Sequence, residues 1–208
     1  MPPDAHDSQP ALPGVSMSKP VDDYEKVSVY PLEAADQEDL LSRNAECSFI
    51  WSTQDGHPLG VIMSYLWHDG RFWLTAGSHR HRISAVRRDP RVSIVVTSTG
   101  TKLGVGKSIT AKGRCILHDD DETRKWFYPA FAKHLHKEEK MAKWFEEFLD
   151  SPLRVVLEVV PEKWITYDGT KMALDSVGKL PPEQKGKPLE SDTVRLDHEM
   201  KRRGLSED

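Results

Sequence analysis

Between Cys47 and Thr75 the chain carries three short apolar or aromatic runs separated by two tight turn signals, which strongly limits the folds open to it. Cys47 to Ser52 is apolar and aromatic, and Gln54-Asp55-Gly56-His57-Pro58 is turn chemistry. Gly60 to Trp67 reads as a second strand, His68-Asp69-Gly70 as the next turn, and Arg71 to Thr75 as a third strand. Asp-Gly between apolar runs is a strong hairpin signal, because both residues tolerate positive φ. Three strands joined in this way make an antiparallel meander.

The flanking segments add strands and helices. Pro31 to Asn44 reads as a helix, with Pro31 in the first turn, acids early (Glu33, Asp36), a face of Leu32, Ala35, Asp39 and Leu40 that is only modestly apolar, and Asn44 as the stop. After Thr75 a short helix runs to Arg88, and Asp89-Pro90 ends it. Arg91 to Thr97 and Ser108 to Leu117 read as strands around a Gly-rich loop. Asp119-Asp120-Asp121-Glu122 opens a helical region with acids at the positive end of the dipole. Its later part carries Met141, Trp144, Phe145 and Phe148 on one stripe, which reads as core or dimer packing. Arg154 to Val160 is a strand that Pro161 is expected to break, and Trp164 to Tyr167 a last short one. Short strands with turn punctuation and interspersed helices favour a barrel over a sandwich.

Bulk properties exclude several classes. With 208 residues, 38% hydrophobic and 30% charged, the chain suits one domain with a real core. Its formal charge of −4 gives no general attraction to nucleic acid or anionic membranes. Cys47 and Cys115 sit in apolar runs and read as buried free thiols. No apolar run approaches the roughly 20 residues of a membrane span, and Met1 to Pro20 does not resemble a secretory signal, so a cytoplasmic protein is expected. Residues 1–24 are Pro-bearing and poor in large apolar groups, which predicts a flexible arm; 25–178 is the expected folded domain and 179–208 a polar tail, within which Ser191 to Arg203 suits a short polar helix.

Chemistry concentrates in Thr75-Ala76-Gly77-Ser78-His79-Arg80-His81-Arg82. A helix start leaves backbone N–H groups unpaired and carries about half a positive charge, so phosphate binds there readily. Ser78 is a candidate cap or hydroxyl donor, and Arg80 and Arg82 are candidate fork-shaped phosphate ligands. The alternative is an ordinary solvated helix start. His79-x-His81 and His134-x-His136 suggest metal only superficially: positions i and i+2 point apart on a helix, and no further ligands complete either pair, so no metal is expected. Gly104-Val105-Gly106-Lys107-Ser108 lacks the first Gly of a phosphate loop, which is Thr101, and precedes a strand. No nucleophile-base-acid set emerges.

The order of these parts is more specific than any one of them. Strand, Asp-Gly turn, aromatic strand ending in Thr75, basic helix start, then Asp89-Pro90-Arg91-Val92-Ser93 resembles the pyridoxamine 5′-phosphate oxidase-like family of flavin-binding split β-barrels. Gly60 to Gly113 carries the likeness, and the layout extends it to about Lys171. The resemblance implies a mainly β (α+β) fold, a six- to seven-stranded antiparallel split β-barrel with interspersed helices. It also implies a homodimer with FMN at the subunit interface. Arg82, His81 and Arg80 would occupy the phosphate-binding Lys, Arg and Ser positions, with Thr75 at the strand end and Ser78 as a second hydroxyl. Ile62, Met63 and Ser64 on the strand Val61 to Tyr65 would meet the ring, Ser108 beside Lys107 would reach over from the partner subunit, and Trp164 would pack on the cofactor or in the core.

Departures from the oxidase proper narrow the activity. Leu59 and Ser64 stand where the oxidase has Arg and Lys, and no Arg-x-His-x-Arg motif follows Trp164-Ile165-Thr166-Tyr167-Asp168-Gly169. Oxidation of pyridoxamine phosphate itself is therefore not expected. What remains is hydride transfer between a flavin and a small organic substrate. The alternatives are the deazaflavin coenzyme F-420, or flavin or heme binding without turnover, heme having only His134 or His136 as axial candidates.

Overall fold

A computed structural model of the chain describes residues 27–104 and 106–205. Two compact units divide it, one spanning Val27–Leu189 and the other including Glu190–Asp208. The arm expected over residues 1–24 lies outside the described residues.

The larger unit runs α1 (Ala34–Arg43), β1 (Glu46–Ser52), β2 (Pro58–Ser64), β3 (Leu66–His68), β4 (Arg71–Gly77), α2 (His81–Arg88), β5 (Arg91–Thr97), β6 (Lys107–His118), α3 (Asp121–Leu135), α4 (Glu139–Leu149), β7 (Arg154–Asp168) and α5 (Gly169–Ser176). All seven strands join one antiparallel sheet in the order β2-β1-β5-β6-β7-β4-β3. The two end strands, β2 and β3, are separated in sequence only by Tyr65, so the sheet must curl until its edges meet at that residue. The expected mainly β, α+β split barrel is the observed fold, with seven strands. Tyr65 is fully buried, and its hydroxyl donates to the Leu41 carbonyl at 2.9 Å, tying the corner to α1.

Alternation along the strands sorts two cores. Phe72, Leu74 and Ala76 of β4 and Val155, Leu157 and Val159 of β7 point into the barrel with Phe49, Ile94 and Ile109. Trp73 and Val156 point outward, where α3 and α4 cover them with Phe127, Tyr128, Phe131 and Leu149. Thr75 is therefore on the outer face, beneath α3. Cys47 and Cys115 are free and buried, and burial pushes both thiols up to about 12, so neither is a nucleophile at neutral pH.

Local chemistry explains most elements. Asp69 (φ 51) and Gly70 (φ 70) both adopt the left-handed conformation, the two-residue turn that Asp-Gly favours between β3 and β4. Asp120 caps α3 by accepting from the Thr123 N–H at 2.7 Å. The second and third expected strands need revision: Gly60 to Trp67 is two strands bent at Tyr65, and Arg71 to Thr75 continues to Gly77. Pro161 does not break its strand either. β7 is continuous past it because the β6–β7 register slips there, pairing Lys112 with Lys163 but Gly113 with Pro161, and a bulge tolerates a residue without an N–H. Met141, Trp144 and Phe148 are 40%, 56% and 56% exposed, so core packing in this chain is excluded for them.

In the other unit α6 (Glu190–Arg203) is a polar helix with no buried residue. Its acids Glu190 and Asp192 open it and Lys201, Arg202 and Arg203 close it, matching the dipole. Among the described residues no helix is long and apolar enough to cross a membrane.

The bulge makes Gly113 obligatory. A Cβ there would lie 2.1 Å from the Val160 carbonyl oxygen, a backbone atom that cannot swing aside. Gly113→Ala is expected to destabilise the protein by about 2 kcal/mol or more, read as a lower midpoint in urea unfolding.

Candidate functional site: an arginine cluster at the start of α2

The β4–α2 connection is short and rigidly held. The Ser78 N–H donates to the Leu153 carbonyl at 2.6 Å, and the Arg80 N–H to the Gly77 carbonyl at 3.0 Å. The absent side chain of Gly77 leaves room for the His79 ring, whose Cε1 lies 2.7 Å from where a Cβ would be. Arg80, with extended backbone, is the N-cap of α2 and makes no side-chain capping bond. The proposed Ser78 cap is therefore a correction: Ser78 sits two residues too early, and its backbone is committed to Leu153. The first N–H groups of α2 are thus without a side-chain cap.

Strand register brings further charge to this corner. β4 pairs with β7 so that Gly77 faces Arg154 and Thr75 faces Val156. Thr75 Oγ1 donates to the Val155 carbonyl at 2.9 Å, leaving the hydroxyl oxygen as an acceptor. Arg124 and Tyr128, four residues apart on α3, share one helix face. A guanidinium nitrogen of Arg124 reaches the Arg154 carbonyl at 3.4 Å, and another lies 3.3 Å from Asp121.

The cluster is under-satisfied. Arg82 Nε and Arg124 Nε are buried side-chain atoms with no hydrogen-bond partner, whereas the buried Tyr128 hydroxyl lies against the Thr75 and Arg124 side chains. Burial pushes the Arg82 guanidinium below its usual range, and the neighbouring Arg80 charge pushes it further. Arg154 is lowered by burial and by Arg80, against an opposing contribution from Tyr128. Burial raises the Tyr128 phenol, and the Arg124 charge and hydrogen bonding by Thr75 and Arg124 act in the opposite direction. Unpaired buried donors cost free energy, about 1–3 kcal/mol each, unless a ligand supplies the acceptor. An anion meets that need; a cation does not.

The other expected ligands distribute differently. Thr75, Arg80 and Arg82 belong to this corner. His81 is exposed and faces the side of Asp55 in the β1–β2 turn. Met63 is buried in the barrel and can meet a ligand only through its backbone, whereas Ile62 is 66% exposed and Ser64 half-buried on the same edge strand. Lys107 Nζ pairs with Asp36 at 2.6 Å and Asp168 at 3.3 Å. Lys107 and Ser108 pair with Asp168 and Tyr167, at the opposite end of the β6–β7 ladder from His118, which pairs with Val156. They are therefore eleven and ten residues along β6 from His118, the residue whose partner Val156 faces Thr75. Trp164 packs against the barrel core, its ring 5.9 Å from Trp67 and 6.1 Å from Phe72. Arg124, Tyr128 and Arg154 were not singled out from the sequence. The only local signal was an Arg and a Tyr at i, i+4, which is common on helices.

A second polar group shares the outer face but is fully paired. Glu158, 3% exposed, binds Arg71 and accepts or shares a proton with His118 Nε2 at 2.6 Å. Among the described residues no group of three or more His, Cys, Asp or Glu is arranged to hold a metal. Glu158→Gln is expected to cost about 1–3 kcal/mol of stability, measured by denaturant unfolding, because Arg71 and His118 lose a charged acceptor.

Comparison with known proteins bears on the fold and the family. The family described as "Pyridoxamine 5'-phosphate oxidase" matches residues 41–168. A search of the curated proteins found no match. Conserved hypothetical protein Rv2991 from Mycobacterium tuberculosis superposes with a TM-score of 0.61 at 18% identity, over 71% of this chain and 91% of that one. A Listeria innocua protein described as a candidate pyridoxamine 5′-phosphate oxidase gives 0.50 at 19% identity, over 64% and 95%. A FAD-binding protein from Mesorhizobium loti gives 0.49 at 22% identity, over 65% and 92%. At these identities the structural likeness concerns the fold. The family match covers more than half of the chain, which therefore belongs to the pyridoxamine 5′-phosphate oxidase-like family.

Proposed function

We propose that the protein is a flavin-dependent oxidoreductase that binds FMN and moves a hydride to or from a small organic substrate. The observation that carries this reading is Arg82 Nε, buried and unpartnered in the first turn of a helix that no side chain caps. Phosphate is the group that such a donor set accommodates, and membership of the pyridoxamine 5′-phosphate oxidase-like family supports a flavin as the molecule that carries it. Thr75, Arg80 and Arg82 would hold the phosphate, and Ser78 has a side chain at the same turn. Ile62 and Ser64, with the Met63 backbone, would border the ring along the free edge of β2. When bound, the flavin supplies two-electron chemistry at its ring. The residues of this chain position it and exclude water.

Lys107 and Ser108 fit a dimeric reading, since they lie at the far end of the β6–β7 ladder from the pair that continues to Thr75. A homodimer with the cofactor at the interface would let them approach from the partner. Coenzyme F-420 is the alternative cofactor, because a phosphate-binding corner serves either molecule. Heme is disfavoured: His134 Nε2 is engaged with the Asn44 carbonyl at 3.1 Å, and His136 packs edge-on against Phe145.

The absorbance spectrum of the purified protein, before and after titration with each cofactor, tests the reading. Oxidised-flavin bands are expected with FMN, a single violet-shifted band with F-420, and a Soret band only for heme. Arg82→Ala is expected to weaken FMN roughly tenfold or more, since a charge-assisted contact contributes about 1.5–3 kcal/mol. A wild-type protein that binds no flavin, or an Arg82→Ala variant with unchanged affinity, overturns the assignment.

A further inference from the structure

α4 carries two apolar stripes, and the chain itself covers only one. Ala142 and Leu149 are buried, and Phe145 between them packs with Leu149, Phe131 and Val156. Met141, Trp144 and Phe148 repeat the same spacing one residue over and are exposed. The Trp144 and Phe148 rings stack on each other, 5.7 Å apart. Leaving three bulky apolar side chains together in water is unfavourable unless something covers them. The charge beside this stripe changes sign at its middle. Lys140 and Lys143 flank it before Trp144 and Glu147 flanks it after, while Glu139 and Glu146 fall on the far side of the helix at about 100° per residue. Lys140, Lys143 and Glu147 are exposed, and none has an ion-pair partner among the described residues. A helix that lies on a membrane carries mostly Lys and Arg beside its apolar face, and a partner of one sign would match only half of this stripe. A second copy of the stripe, run antiparallel, matches all of it.

We propose that α4 is an interface between two copies of this chain, the two helices packing antiparallel about a twofold axis at Trp144. Such a pairing is isologous: each residue before Trp144 meets one after it on the other copy. Lys140 lies four residues before Trp144 and Glu147 three after it, so these charges oppose each other twice across the axis. Met141 and Phe148 are opposed in the same way, three and four residues out. The two Trp144 rings meet at the centre, where buried aromatic residues contribute most to association. This face is distinct from the end that would bring Lys107 and Ser108 to a cofactor. α4 covers Val156 of β7, whereas Lys107 and Ser108 pair with Asp168 and Tyr167, twelve and eleven residues further along that strand. The α4 contact needs no flavin and stands whether or not the flavin reading holds. An eleven-residue helix is only about 16 Å long, so the contact is small and the association depends on concentration.

Sedimentation velocity of the full chain over a wide concentration range tests this. The wild type is expected to reach twice its starting mass as concentration rises. Lys140→Glu and Glu147→Lys should each weaken that step about tenfold or more, because each sets like charges opposite one another twice. Mixed one to one, the two variants should associate about as strongly as wild type, because the mixed pair restores both attractions. A variant that had merely lost its fold could not recover in this way. Trp144→Ala should weaken the step about thirtyfold or more, with the circular dichroism spectrum unchanged because the side chain is exposed. A mass that is the same at every concentration and in every variant overturns the pairing. Single variants that weaken association without recovery on mixing overturn it as well. So does binding of the wild type to phosphatidylcholine vesicles with no change in its mass, which assigns the stripe to a lipid surface.

Discussion

The ladder between β4 and β7 joins segments about eighty residues apart, pairing Thr75 with Val156 and Gly77 with Arg154. Closing so long a loop carries an entropic cost that grows only slowly with length, and the apolar rows on both faces of the two strands offset it. Phe72, Leu74, Val155 and Leu157 seal the barrel from one side, while Trp73 and Val156 seat α3 and α4 on the other. The same register sets the corner chemistry. With β7 slipped by one residue, Arg154 would leave the outer face and the guanidiniums of α2 and α3 would lose their neighbour.

Two polar groups share that outer face and differ in satisfaction. Arg71, Glu158 and His118 close on one another across β4, β7 and β6, so their charges are internally balanced. Around Arg80, Arg82, Arg124 and Arg154 the cations outnumber the carboxylates: Asp121 pairs with Arg124, but Arg82 Nε and Arg124 Nε lack acceptors, and burial and the Arg80 charge lower both Arg82 and Arg154. A paired network reads as structure. One in which cations are in excess and buried donors lack acceptors reads as a site held ready for an anion, at some expense to the stability of the protein alone. The flavin assignment draws its physical support from that contrast.

Much of the barrel was legible along the chain because hairpins are local. Asp69-Gly70 marks its own turn through the φ values it needs, and the period-two alternation around it marks both strands. Pro161 misled because a proline looks like a strand end until the opposing Gly113 is known to open a bulge. Ser78 misled because a Ser near a basic helix start suggests a cap, while the chain needed two more residues to turn past Gly77. The aromatic stripe of α4 was legible as a stripe, but periodicity does not say whether a partner covers it; here Trp144 and Phe148 stack on each other and remain exposed.

The residues alone determined a mainly β chain with a basic helix start after an aromatic strand, since turn chemistry and side-chain alternation act over a few positions. They also placed Thr75, Arg80 and Arg82 at one corner. Only the tertiary structure added Arg124, Tyr128 and Arg154 to that corner and drew Lys107 and Trp164 into other contacts. The reason is range. Propensity and capping are written in neighbouring residues, whereas burial without a partner depends on which distant strand and helix close over a side chain.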